Sequence, residues 1–177
     1  MASEPEVYYC QPTRFVPNSR LPILVYRNVL PQPITEETTG EFLERNNWVK
    51  RGTWGAISRH HFHPNTHECY GIFQGSSTLL LGAGPLDKEE DGQIIHVEKG
   101  DVIVLPAGTS HCSKDFKDDY RYVGVYPNGS PKWRNEYGKD DSRYGDLKTE
   151  AESVTIPEWD PVNGLHGPLW RLWSRQD

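Results

Sequence analysis

The chain has little cysteine: Cys10, Cys69 and Cys112 are too few, too widely spaced and odd in number for a disulfide framework or a zinc knuckle. They read as reduced thiols. No run of Lys and Arg occurs and the formal charge is −6, which excludes a nucleic-acid partner, since that needs a concentrated basic face to displace phosphate counterions. No segment approaches the roughly 20 apolar residues that span a bilayer, and the start from Met1 to Val7 lacks the basic and apolar regions of a secretory leader. A soluble, cytoplasmic protein is expected. Apolar residues reach only 35%, so a few large rings, among them six Trp and nine Tyr, have to carry much of the burial. Internal repeats and low-complexity segments are also missing. At 177 residues the chain fits one domain.

Within these bounds the chain divides into three parts. Residues 1–20 hold Pro5, Pro12 and Pro17 and read as an extended arm over the surface or over a neighbouring subunit. Residues 21–26 form a β-branched and aromatic strand, and Thr35 caps a helix running to about Asn46, with Glu36 and Glu37 at its positive end. From Trp48 to about Tyr126, short alternating or apolar runs divided by Gly, Pro and Asp predict antiparallel strands near 50–57, 59–63, 68–74, 76–82, 93–98, 101–105, 110–114 and 120–126. Beyond Gly129 the chain is polar and irregular, with a short helix expected near 146–152. Its last stretch regains apolar weight in Trp159, Val162, Leu165, Leu169, Trp170, Leu172 and Trp173, predicting a tail packed back on the strands.

The densest chemistry lies in residues 61–68, which carry His61, His63, His67 and Glu68. Imidazole nitrogen and carboxylate oxygen are ordinary ligands of zinc, iron, manganese and nickel. Alternation along a strand turns His61 and His63 to one face and His60 to the other. A turn at Pro64, Asn65 and Thr66 lets Glu68 return on a paired strand, while His67 faces away from it and is the weaker ligand candidate. A second punctuated stretch, Gly100 to His111, supplies the fourth ligand: Val102 to Leu105 is a buried strand, Pro106 to Ser110 a turn, and His111 begins the next strand over the sheet. Cys69 and Cys112, each beside a ligand, turn to the opposite face and pack between sheets. Tyr70 shares the face of Glu68, as a pocket wall and candidate proton donor, whereas Phe62 belongs to the core. His60 and His67 are candidates for outer partners of the ligands.

Gly55, His61, His63, Glu68 and Gly75 stand at the fixed positions of the first cupin motif, and Gly100, Pro106, Gly108 and His111 at those of the second, with 24 residues between the two. The chain therefore resembles a single-domain cupin of the RmlC-like type. Asp115 stands where the second motif often closes with Asn. The resemblance implies an all-β fold, a double-stranded β-helix or jelly-roll barrel, with a short N-terminal helix and irregular N- and C-terminal extensions. Residues 48–127 would be the motif core of a single domain, 1–47 the arm and helix, and 128–177 the C-terminal extension. It also implies one divalent transition metal (Fe, Zn, Ni or Mn) on His61, His63, Glu68 and His111, and a homodimer built by sheet packing or arm exchange.

Two functions fit. One is a metal-dependent enzyme acting on a small oxygenated molecule, as dioxygenase, decarboxylase or isomerase, with the metal as Lewis acid and template. The other is a non-catalytic cupin that binds a metal or ligand without turnover. A shared fold does not choose between them.

Overall fold

The computed structural model describes residues 3–174. Its strands are β1 (Glu6–Tyr8), β2 (Ile23–Tyr26), β3 (Trp48–Trp54), β4 (Glu68–Leu81), β5 (Gln93–Glu98), β6 (Val102–Leu105), β7 (His111–Pro127), β8 (Trp159–Asp160) and β9 (Gly164–Leu165); its helices are α1 (Glu36–Glu44), α2 (Tyr144–Glu152) and α3 (Pro168–Trp173). Six strands hydrogen-bond in the order β1-β2-β6-β4-β7-β3, with β5 added to the far half of β4, and every pairing is antiparallel. The chain is a cupin-type jelly-roll barrel with a short helix on its N-terminal side. No described helix is long and apolar enough to cross a membrane.

Alternation sorts the apolar runs into two packed faces. Ile23, Val25, Tyr70, Ile72, Ile103, Leu105, Tyr120 and Tyr122 point into the barrel. Their sequence neighbours Leu24, Tyr26, Cys69, Val102, Val104, Val123 and Val125 point outward, beneath Phe42 and Leu43 of α1 and Leu169 and Trp173 of α3. Strands covered on both faces read as unbroken apolar runs, which is why 102–105 and 122–126 show no polar alternation. Cys69 thus turns away from the ligands as expected, but it packs under the helices rather than between sheets. Cys112 joins Leu80 and Ala83, and Phe62 is core, against Val16 and Leu147.

Helix α1 begins where expected. Thr35 accepts the Thr38 amide at 3.2 Å, the Thr38 hydroxyl answers the Thr35 amide, and Glu36 and Glu37 occupy the first turn. The N-terminal arm lies on its own chain: β1 pairs β2, and the buried Asn18 side chain donates to the Gln11 and Gly82 carbonyls while accepting the Ser110 amide. The tail returns as predicted, with Leu169 and Trp173 buried, although Leu165 stays exposed. Asp160 anchors it, accepting from the amides of Val162, Asn163 and Leu169 and from the Tyr26 hydroxyl.

Three strand expectations change. Residues 68–74 and 76–82 form one 14-residue strand, and 110–114 and 120–126 one 17-residue strand that runs through Asp115. The punctuation between them marks a bend, not an end. Gly75 has φ +64, and a Cβ there would lie 2.3 Å from the Lys117 carbonyl, opposite Asp118 and Asp119, which also have positive φ. The register shifts on both sides of Gln74, so paired bulges carry β4 and β7 around the barrel together. Finally, 59–63 is not a strand, and Glu68 does not return on a partner of it. His61 and Phe62 are single bridges, to His111 on one side and Glu136 on the other, and Pro64 has no amide to continue a ladder.

Candidate metal centre

The His61–His111 bridge brings the two halves of the site together. His61 and His111 exchange backbone hydrogen bonds of 3.2 and 2.9 Å, and their ring centroids lie 4.3 Å apart. His63, two residues on, turns its ring to the same place, 5.4 Å from each of them. One nitrogen from each of His61, His63 and His111 lies within 4.8 Å of the others, and all three residues are buried.

The outer nitrogens decide which form the rings take. Nδ1 of His61 lies 2.8 Å from the Arg59 carbonyl, Nδ1 of His63 lies 3.1 Å from that of Arg134, and Nδ1 of His111 lies 3.0 Å from that of Thr109. A carbonyl only accepts, so each Nδ1 carries the hydrogen and each Nε2 presents a lone pair inward. Nε2 of His111 is buried without a hydrogen-bond partner among the described residues. That of His63 faces Glu68 Oε2 at 3.0 Å, and His111 Nε2 stands 3.3 Å from the same oxygen, too poorly aligned to bond. Two acceptors so close repel unless a cation lies between them. Adjacent ligands of one ion with bonds of about 2.1 Å stand roughly 3 Å apart, so the spacing suits a metal as well as a proton. The donor set of three imidazoles and a carboxylate fits a divalent transition metal.

Electrostatics follow the same geometry. Burial, then the neighbouring imidazoles, hold His61 down to about 3. Burial opposes the charged form of His63, but the Glu68 carboxylate outweighs it and raises the group. Burial alone would raise Glu68; the facing imidazoles hold its carboxyl well below the usual range.

The other sequence candidates fall into place around this cluster. Tyr70 is buried, stacked on Tyr122 at 3.8 Å and edge-on to His111 at 6.0 Å. It is not part of the lining of the pocket over the imidazoles but lies against Tyr122, which is, and burial followed by the Glu68 charge raises its phenol well above the ordinary range. His67 stands outside the cluster: its Nδ1 accepts the Ala107 amide at 2.9 Å and its ring lies 4.8 Å from Trp173, under the tail. The His60 Nδ1 bonds the Ala83 carbonyl. Neither touches the three clustered rings.

Several site residues escape a reading of the sequence. The β4/β7 register, which pairs Cys69 with Val125, brings Glu68 near Tyr126, whose hydroxyl donates to Glu68 Oε1 at 2.5 Å. The alternation Tyr120, Tyr122, Gly124, Tyr126 was its available signal. A pocket of about 280 Å³ opens above the imidazoles, walled by Trp54, Tyr122, Tyr126 and Trp133, with Arg59 and Tyr137 at its mouth. Trp133 and Tyr137 come from the irregular stretch after β7. That stretch is laid over the mouth by paired backbone bonds between Phe62 and Glu136 and by Asn65, which bonds Lys132 and Arg134.

Comparison with known proteins finds a family match and several similar chains. The family model described as "Cupin" matches residues 47–129, the stretch that holds both motifs and all four ligand candidates. The uncharacterized protein YjlB of Bacillus subtilis (strain 168) is 27% identical over 176 residues, covering 99% of this chain and all of that one. Among solved structures, a mutant of Bacillus subtilis oxalate decarboxylase OxdC is 14% identical, with a TM-score of 0.37 over 67% of this chain, which spans only 28% of that protein's length. The polyketide cyclase RemF of Streptomyces resistomycificus is 16% identical, with a TM-score of 0.34 over 86% of this chain and 96% of that one. With both motifs folded into one mouth and the family match spanning them, the chain has the fold of the cupin superfamily.

Proposed function

We propose that the protein is a metal-dependent cupin enzyme acting on a small oxygenated organic molecule, of dioxygenase, decarboxylase or isomerase type. One observation carries the reading: three imidazoles whose Nδ1 atoms face backbone carbonyls bring their other nitrogens within 4.8 Å of one another beneath a pocket open to solvent. His61, His63, His111 and Glu68 would hold one divalent ion (Fe, Zn, Ni or Mn), which supplies Lewis acidity and a template for an oxygen-bearing substrate. The backbone carbonyls of Arg59, Arg134 and Thr109 fix the rings. Tyr126 holds the Glu68 carboxylate, and the aromatic walls line the approach to the reacting atoms. Tyr70, stacked behind Tyr122, is the candidate proton donor.

The test is elemental analysis of the purified protein, followed by oxygen-uptake and substrate-depletion screens with and without chelator. Chelator-sensitive turnover supports the enzyme; bound metal with no turnover across the screen leaves the non-catalytic binding reading. His61→Ala and His111→Ala are each expected to lose the metal, and full metal in both variants would remove the site assignment. The reading includes a single domain over 1–177, a cytoplasmic location consistent with three free thiols, and a homodimer. Exposed Val7, Tyr9 and Ile94 lie on or beside the edge strands β1 and β5, where a second copy would add. Sedimentation equilibrium at the mass of a monomer would remove the dimer.

A further inference from the structure

Arg59 supplies the sole Lys or Arg side chain of the pocket above the imidazoles among the described residues. Its guanidinium carbon stands 3.7 Å from the centre of the Tyr137 ring. No carboxylate among the described residues lies within ion-pair reach of it, whereas Arg134, from the stretch after β7 that carries Tyr137, is committed to Glu136 and Glu150. A guanidinium lying over a ring keeps its N–H edge free and loses little further freedom on binding, which suits two parallel bonds to a carboxylate. In a chain of charge −6, an unpaired cation at the mouth of a low-dielectric cleft also concentrates anions there.

The body of the pocket complements that edge. Tyr126 and Trp133 stack at 5.1 Å and 10°, and Trp54 meets Trp133 edge-on at 5.7 Å and 87°. Trp54 lies across strand positions that carry no side chain: a Cβ on Gly124 would stand 2.2 Å from its ring. The walls are therefore flat and apolar. At about 280 Å³ the space falls just below the ligand-pocket range of roughly 300–1,000 Å³, which limits it to a small molecule.

We infer that the substrate is a small organic acid with a compact, planar apolar body. Its carboxylate is received by Arg59 against Tyr137, and its opposite, oxygenated end faces His61, His63 and His111. Arg59 is then a specificity-determining residue, and this assignment rests on the proposed enzyme reading of the same pocket.

The test uses benzoate and its neutral amide, benzamide, titrated by calorimetry into the full-length protein, both as purified and after chelator treatment. The stripped protein isolates Arg59 from any carboxylate affinity of the metal. Benzoate is expected to bind it about tenfold tighter than benzamide, the worth of one charge-assisted bidentate contact. Arg59→Met should abolish the preference while keeping the native circular dichroism and metal content, and Arg59→Lys should keep part of it. Equal binding of the two probes, no benzoate binding at millimolar concentration, or a preference surviving in Arg59→Met overturns the inference. Metal content measured on the same samples separates this result from the metal reading: a protein without metal removes the centre, yet the charge preference is still decided on its own.

Discussion

Tyr126 does for Glu68 what three backbone carbonyls do for the imidazoles: it fixes one atom of a ligand so that another is aimed inward. Its hydroxyl takes Oε1 at 2.5 Å, which leaves Oε2 toward His63 and His111. Removing such an outer partner typically lowers metal affinity about 10–100-fold. Tyr126→Phe, which keeps the ring stacked on Trp133, is therefore expected to fold normally and to release its metal to a competing chelator at correspondingly lower chelator activity. Unchanged affinity would mean that Glu68 holds its position without the phenol. His67 gives the opposite case. Although it neighbours Glu68 in sequence, its ring points to Ala107 and Trp173. His67→Ala is expected to keep the metal in full by elemental analysis while lowering stability, because it empties a buried site under α3.

The paired bend of β4 and β7 places Glu68 and His111, at the start of each strand, on the same rim. Gly75 is the residue that permits it. At φ +64, with the Lys117 carbonyl 2.3 Å from where a Cβ would stand, Gly75→Ala has to move the β7 backbone or break the bulge. A cost of about 2 kcal/mol or more is expected, read as a lower urea midpoint at unchanged slope; a midpoint within experimental error of the parent would show that the bend does not depend on this glycine. The same element shows what was legible in advance. His61, His63, Glu68 and His111 could be grouped from their spacing and the turns between them, although the strand expected over 59–63 is only a pair of single bridges. The continuity of β4 through Gly75 could not, because a glycine inside a strand and one between strands look alike until a partner's register is known. Tyr126 was hidden for a related reason: period gives a residue's face but not its cross-strand neighbour. Trp133 and Tyr137 were hidden more deeply, since they lie in a stretch without periodicity, placed only by its bonds to Phe62 and Asn65.

At the scale of the whole molecule, burial loads the fold with acids that cannot ionise in place. Cys10 is sealed beneath the Gly82 turn, Tyr26 lies under the tail against Asp160, and Tyr120 sits in the barrel interior with no partner for its hydroxyl among the described residues. Burial pushes the Cys10 thiol up to about 12. Burial, then the Asp160 charge, raises the Tyr26 phenol well above its ordinary range, and burial does the same for Tyr120. In the unfolded chain these groups titrate near their ordinary values of about 8.5 and 10. Above those values the unfolded state holds fewer protons than the folded one, so stability falls as pH rises; below about 8 these three groups leave it flat. Each group contributes about 1.4 kcal/mol per pH unit, so above pH 10 the three together remove roughly 4 kcal/mol per unit from a total typically near 5–15 kcal/mol. The barrel is expected to unfold cooperatively between about pH 10 and 12, the window bounded by the free phenol and the buried thiol. Phenolate absorbance at 295 nm, alkylation of Cys10 and loss of far-ultraviolet circular dichroism should then share one midpoint. Tyr26→Phe should move that midpoint upward, because it deletes an ionisation that favours the unfolded chain while keeping the ring packed under the tail. A graded rise at 295 nm that includes Tyr26 and Tyr120 while the circular dichroism stays native would instead mean that water reaches both phenols without unfolding, and that the tail and barrel open locally rather than as one cooperative unit.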